Sequence, residues 1–202
     1  MWLALAAVCA LGAMSPGPSL AVVIRHTVAG SRTHGVATGL AHAIGIGIYA
    51  LLSSFGLAVL IIGNPGLYHV LALAGAGYLL WLGVAALRDG DGVVAPAADV
   101  TPGPLAVAAR DGFAISLLNP KVAFFFLALF SQFVEPGMGV GTHVLMSAIA
   151  MGIDASWYAL VAVVLSYSGV LRLLRRNGLW LDRVTGVALI ALALLTAVQV
   201  LG

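Results

Sequence analysis

A chain of 202 residues with 62% hydrophobic side chains, 8% charged ones and a mean hydropathy of +1.11 is not an ordinary soluble protein. Its formal net charge of +2 rests on nine Lys and Arg scattered between apolar runs, which excludes the extended basic face that a nucleic-acid partner needs. A bilayer core about 30 Å thick calls for roughly 20 apolar residues per helix, and six such stretches leave no room for a separate soluble domain.

The first predicted helix covers residues 2–25. It has no basic residues before its apolar run, so it reads as a retained helix rather than a cleaved signal peptide, and its Cys9, the one cysteine, is an apolar filler. Inside it stands "SPGP", Ser15 to Pro18. Pro16 and Pro18 each remove a backbone donor and clash with the preceding turn, and Gly17 admits dihedrals that other residues avoid. A helix unwound at membrane depth must give its freed carbonyls partners, so the break is expected to line a cavity.

The second helix is predicted over 37–62 and the third over 67–87, separated from their neighbours by "HTVAGSRTHG" and "GNPG". His42 sits about a turn and a half into the second helix, where an imidazole is either a polar packing residue or part of a site. No pair of histidines has the spacing of a metal site, and no metal or other cofactor is expected. The glycines "GVATG" and "GAG" allow close helix contacts. A long polar connection, residues 89–110, follows.

The fourth helix is predicted over 112–133 and carries a second break, Asn119-Pro120-Lys121; the fifth, over 142–168, carries Asp154 with Trp157 and Tyr158 one turn on; the sixth covers 180–201. Lys121 and Asp154 both fall near the membrane centre. A lone charge there costs about 2.5–3.5 kcal/mol on insertion scales, so opposite charges are expected to serve each other or a ligand. Lys121 would attract a carboxylate, and Asp154 an amine or a proton. Trp157 and Tyr158 would wall a substrate pocket or face lipid, while most other Trp and Tyr suit interfacial anchoring.

Arginines 25, 32, 88, 110, 172, 175, 176 and 183 all fall in or beside the first, third and fifth connections, and none in or beside the second and fourth. The asymmetry places those three connections in the cytoplasm and both termini outside. The long third connection splits the chain into residues 1–88 and 111–202, and an odd number of spans in each half inverts the second relative to the first. The fold expected is an all-α membrane protein of six transmembrane helices, as two inverted three-helix repeats with broken first and fourth helices. No motif for embedded hydrolysis and no phosphate loop is present, so neither an enzyme nor direct use of ATP is expected.

"SPGPSLAVVIRHTVAGSRTHGVATGLAHAIG", with "LLNPKVAFFFLALFSQFV" about a hundred residues later, resembles the LysE/RhtB amino-acid exporters over essentially the whole chain. The resemblance implies a multi-pass bacterial inner-membrane exporter that exchanges amino acids for protons. Pro16, Gly17 and Pro18 match the first motif of that family, Asn119, Pro120 and Lys121 the second, and Asp154 the acidic position of the fifth helix. The expected substrate site is Ser15, Pro16, Gly17, Pro18, His42, Asn119, Pro120, Lys121, Asp154, Trp157 and Tyr158, with Asp154 coupling to protons. One membrane-depth acid with a lysine favours a neutral zwitterion over a dibasic substrate. Its partners are that substrate, protons and the bilayer, with homo-oligomerisation left open. The rival readings are a metal or other ion transporter, and a membrane subunit that transports nothing.

Overall fold

The computed structural model describes residues 1–15, 17–88, 103–166, 183, 186–187, 189–198 and 200–201, and among these every regular element is helical. In chain order they are α1 (Trp2–Met14), α2 (Pro18–Ala29), α3 (Arg32–Gly63), α4 (Pro65–Arg88), α5 (Leu105–Leu118), α6 (Pro120–Ser131), α7 (Val140–Leu165) and α8 (Leu189–Val198). α3, α4 and α7 are each long and apolar enough to cross a bilayer alone. The pairs α1–α2 and α5–α6 add two spans if each bent pair counts as one. Of the sixth predicted span, 180–201, most of the first half lies outside the described residues, as do Pro16, the segment 89–102, Tyr167, Trp180 and Arg172, Arg175 and Arg176.

Both breaks fall where the prolines put them. α1 and α2 have 13 and 12 residues and meet at 59°; α5 and α6 have 14 and 12 and meet at 54°. At 1.5 Å per residue each first piece is about 20 Å long, shorter than a core about 30 Å thick, so neither piece crosses it alone. In each case a proline opens the second helix, where its missing N–H has no partner to lose. The same device closes the α3–α4 connection: Pro65 starts α4, and Asn64 Oδ1 accepts the Leu67 N–H at 2.9 Å.

Two boundaries differ from expectation. α2 runs to Ala29 and α3 starts at Arg32, so the first connection is only Gly30 and Ser31. The fourth span begins at Leu105, seven residues before its predicted start, which puts Arg110 and Asp111 inside α5 rather than in a connection. Charge suggests a boundary, yet "LAVAARDGF" contains no proline, and its Gly112 stays helical where α5 packs closely on Thr38. Arg110 points outward, and Asp111 Oδ2 bonds His26 Nε2 of α2 at 3.0 Å.

α3 is the central helix, packed by α2, α4, α5, α6 and α7. Its approach to α5 depends on small residues: a Cβ on Gly112 would overlap the Thr38 carbonyl, and one on Gly45 would overlap Ser116. The main apolar core joins Leu5, Ile46, Ala50, Phe126, Leu129, Phe130 and Met146, and a smaller one joins Leu20, Val23, Ile24, Tyr158 and Val161. Leu52, Val59, Leu80, Trp81 and Leu118 remain exposed, as a surface solvated by lipid requires.

Candidate functional site

Each break is held by the other. Asn119, the N-cap of α6, accepts the Lys121 N–H on Oδ1 at 3.0 Å and donates from Nδ2 to Ser19 Oγ at 3.1 Å. Ser19 lies in the first turn of α2 and lines the same cavity as Tyr158. In return, the Lys121 ammonium reaches across to Ser15, donating to its hydroxyl and, at 3.3 Å, to its carbonyl. That carbonyl would bond residue 19 in an unbroken helix; the break frees it, and a cation now takes it. Lys121 Nζ also lies 3.3 Å from where a Cβ on Gly17 would stand, so the missing side chain leaves the ammonium its room.

Across from the breaks, His42 Nδ1 of α3 meets Asp154 Oδ2 of α7 at 2.7 Å, with the two residues only 1% and 5% exposed. The Tyr158 ring stands edge-on to the imidazole, with ring centroids 4.9 Å apart. His42 is ten residues into α3 and Asp154 fourteen into α7, about 15 and 21 Å from the helix starts, so the pair sits at the depth of the breaks.

These groups surround one cavity of about 50 Å³, room for a few water molecules. Ser15, Gly17, Ser19, His42, Asn119, Lys121, Asp154 and Tyr158 line its polar side, and Cys9, Gly12, Ile46, Phe125, Phe126 and Ala150 are among those lining the apolar side. A cation, a carboxylate and the N-terminal ends of two half-helices thus face one small space. α2 has no side-chain cap at that end, and its positive dipole end adds to the charge of Lys121. The arrangement suits a ligand that carries both signs of charge and a short uncharged appendage.

Of the site residues expected from sequence, Ser15, Gly17, His42, Asn119, Lys121, Asp154 and Tyr158 come together around this cavity. Pro18 and Pro120 start the two half-helices and shape the site through the backbone. Trp157 lies elsewhere: it packs beside the Leu20–Val23 cluster and borders an outer groove with Ala6, Ala10 and Gly152. Asp154 takes His42 as hydrogen-bonding partner, a pairing that sequence reading did not propose, while Lys121 lines the same cavity. Ser19 and the apolar wall were also missed. A signal existed, since Ile46, Ala150 and Phe125 each lie one helical turn from His42, Asp154 and Lys121, on the same faces. Among the described residues no group of three or more His, Cys, Asp or Glu lies close enough to hold a metal.

The chain is similar to known proteins over most of its length. Residues 10–200 match the model of the family described as LysE type translocator. The chain is 29% identical to the threonine efflux protein of Escherichia coli (strain K12) over 190 residues, 92% of each chain. It is 27% identical to the threonine efflux protein of Salmonella typhi over 86% of this chain and 85% of that one. Against the leucine efflux protein of Klebsiella pneumoniae the identity is 32%, over 59% of this chain and 57% of the relative. No solved structure matches the chain.

Proposed function

The chain belongs to the LysE type translocator family, and we propose that it exports a neutral amino acid from the bacterial cytoplasm in exchange for protons. The observation that carries this reading is the convergence of Lys121, two half-helix N-termini and the His42–Asp154 pair on one cavity. The substrate carboxylate sits between Lys121 and the start of α2, and its ammonium sits at Asp154. Its side chain meets Ile46, Phe125 and Phe126, an apolar wall that favours a short uncharged group such as that of threonine over a second amine. The threonine efflux relatives, aligned over most of their length, support the same substrate class.

A zwitterion carries no net charge outward, so one proton moving inward gains about 2.3 kcal/mol per 100 mV of membrane potential. In this reading the protein is a multi-pass inner-membrane transporter, and the arginine distribution puts both termini on the periplasmic side. The matched lengths, bends and opening prolines of α1–α2 and α5–α6 support two inverted halves, 1–88 and 111–202, with the breaks as their equivalent sites. Uptake of labelled threonine, leucine and lysine by inverted membrane vesicles under a proton gradient tests the assignment. Threonine or leucine is expected to accumulate and lysine is not; accumulation of none of a full amino-acid panel overturns it.

A further inference from the structure

His42 is attached to Asp154 by one nitrogen only. Nδ1 makes the 2.7 Å bond, and Nε2 is buried with no hydrogen-bonding partner among the described residues. The ring borders the cavity and is steadied by the edge of Tyr158. An imidazole with a lone pair at Nε2 donates its Nδ1–H to the carboxylate, and the pair then carries one net negative charge. One proton added at Nε2 turns it into an imidazolium–carboxylate pair with no net charge.

From these contacts we propose that His42 and Asp154 form a single proton-carrying unit, loaded and unloaded at His42 Nε2, for which the substrate ammonium and the proton compete. The inference rests on the export reading and sharpens its coupling step. Loading forms one N–H bond at Nε2 as a hydronium ion breaks one O–H bond and is left as water, and unloading reverses it. The negative pair attracts the ammonium; the neutral pair does not. A negative pair left with neither proton nor ammonium at this depth is costly, so the empty return step carries the proton. The other ionisable groups that face this cavity are Tyr158 from α7, Lys121 from α6 and Cys9 from α1. α2 contributes Ser19 there, α5 meets α3 nearby through Ser116, and among the described residues none of α4 lines the cavity. Lys121 is engaged with Ser15 across the breaks. His42 is therefore a proton carrier beside the substrate rather than a ligand to it.

Calorimetric titration of the detergent-purified protein with threonine, in two buffers of different ionisation enthalpy, measures binding and proton release together. The wild type is expected to release a proton as it binds. His42→Gln keeps a side-chain amide beside Asp154 but has no nitrogen to protonate, so the heat of the threonine binding that it retains is expected not to depend on the buffer. In proteoliposomes the same variant is expected to lose accumulation driven by a proton gradient by a much larger factor than it loses exchange of labelled for unlabelled threonine. Wild-type binding without proton release overturns the proposal whether or not the variant folds. So does loss of exchange and accumulation together in a His42→Gln protein that elutes as a single species, because that is the behaviour of a ligand or a purely structural residue. A wild type that neither binds nor transports any amino acid defeats the export reading itself.

Discussion

Asp154 and His42 meet at 2.7 Å across 112 residues of chain, and both are almost wholly buried. Removing one partner of such a pair leaves the other without compensation, whereas removing both leaves an apolar contact between α3 and α7. Asp154→Leu alone is expected to lower stability by about 3–5 kcal/mol, and the double variant His42→Leu/Asp154→Leu by clearly less. Thermal unfolding in detergent of both single variants and the double completes the cycle; additive losses would show that the two residues are not energetically paired.

Lys121 draws the two breaks together and faces the cavity, so its charge is assigned to the substrate carboxylate. Lys121→Gln is expected to raise the apparent KM for threonine at least tenfold, in line with the roughly 1.5–3 kcal/mol of a charged hydrogen bond. Threonine amide, which lacks the carboxylate, is expected to compete equally poorly against wild type and variant. Competition curves for the two compounds check the assignment.

Phe125 closes the apolar side of the cavity and lies directly against Gly12. Phe125→Ala opens space beside Ile46 without touching the polar groups. The variant is expected to shift preference from threonine toward leucine by about 10-fold or more, the range that one or two methylenes command in an apolar pocket. Paired uptake rates for the two amino acids measure it.

Gly112 and Gly77 separate packing from composition. A Cβ on Gly112 would overlap the Thr38 carbonyl, and the backbone of a central helix cannot yield as a side chain does; among the described residues nothing lies within 4 Å of a Cβ on Gly77. Gly112→Ala is expected to lose about 1–3 kcal/mol of stability and much of its membrane yield, and Gly77→Ala to behave as wild type. Fluorescence-detected size exclusion on heated samples distinguishes the two.

What could be read from sequence follows from how local each cause is. Pro18 and Pro120 act on their own turn of helix, so the two breaks, their depth and the cavity they imply were legible, and Lys121 and Asp154 stood out because isolated charges at that depth need partners. The partner itself was not legible. His42 reaches Asp154 only because α3 packs on α7, and no residue pattern within either helix states that pairing. The early start of α5 was hidden for a related reason: Arg110 and Asp111 look like a connection until outward exposure and His26 account for them. Trp157, chosen for its nearness to Asp154 in sequence, turns to the outer groove because residues three and four positions on fall to opposite sides of Asp154 around the helix, and it is Tyr158 that lies on the cavity side.

The central claim is that the mid-membrane carboxylate couples export to protons, and inverted membrane vesicles test it most directly. With a proton gradient imposed, wild-type vesicles are predicted to accumulate labelled threonine and to lose it when a protonophore collapses the gradient, while Asp154→Asn vesicles with the same amount of protein are predicted to accumulate none. Gradient-driven accumulation by Asp154→Asn at the wild-type level would contradict the account.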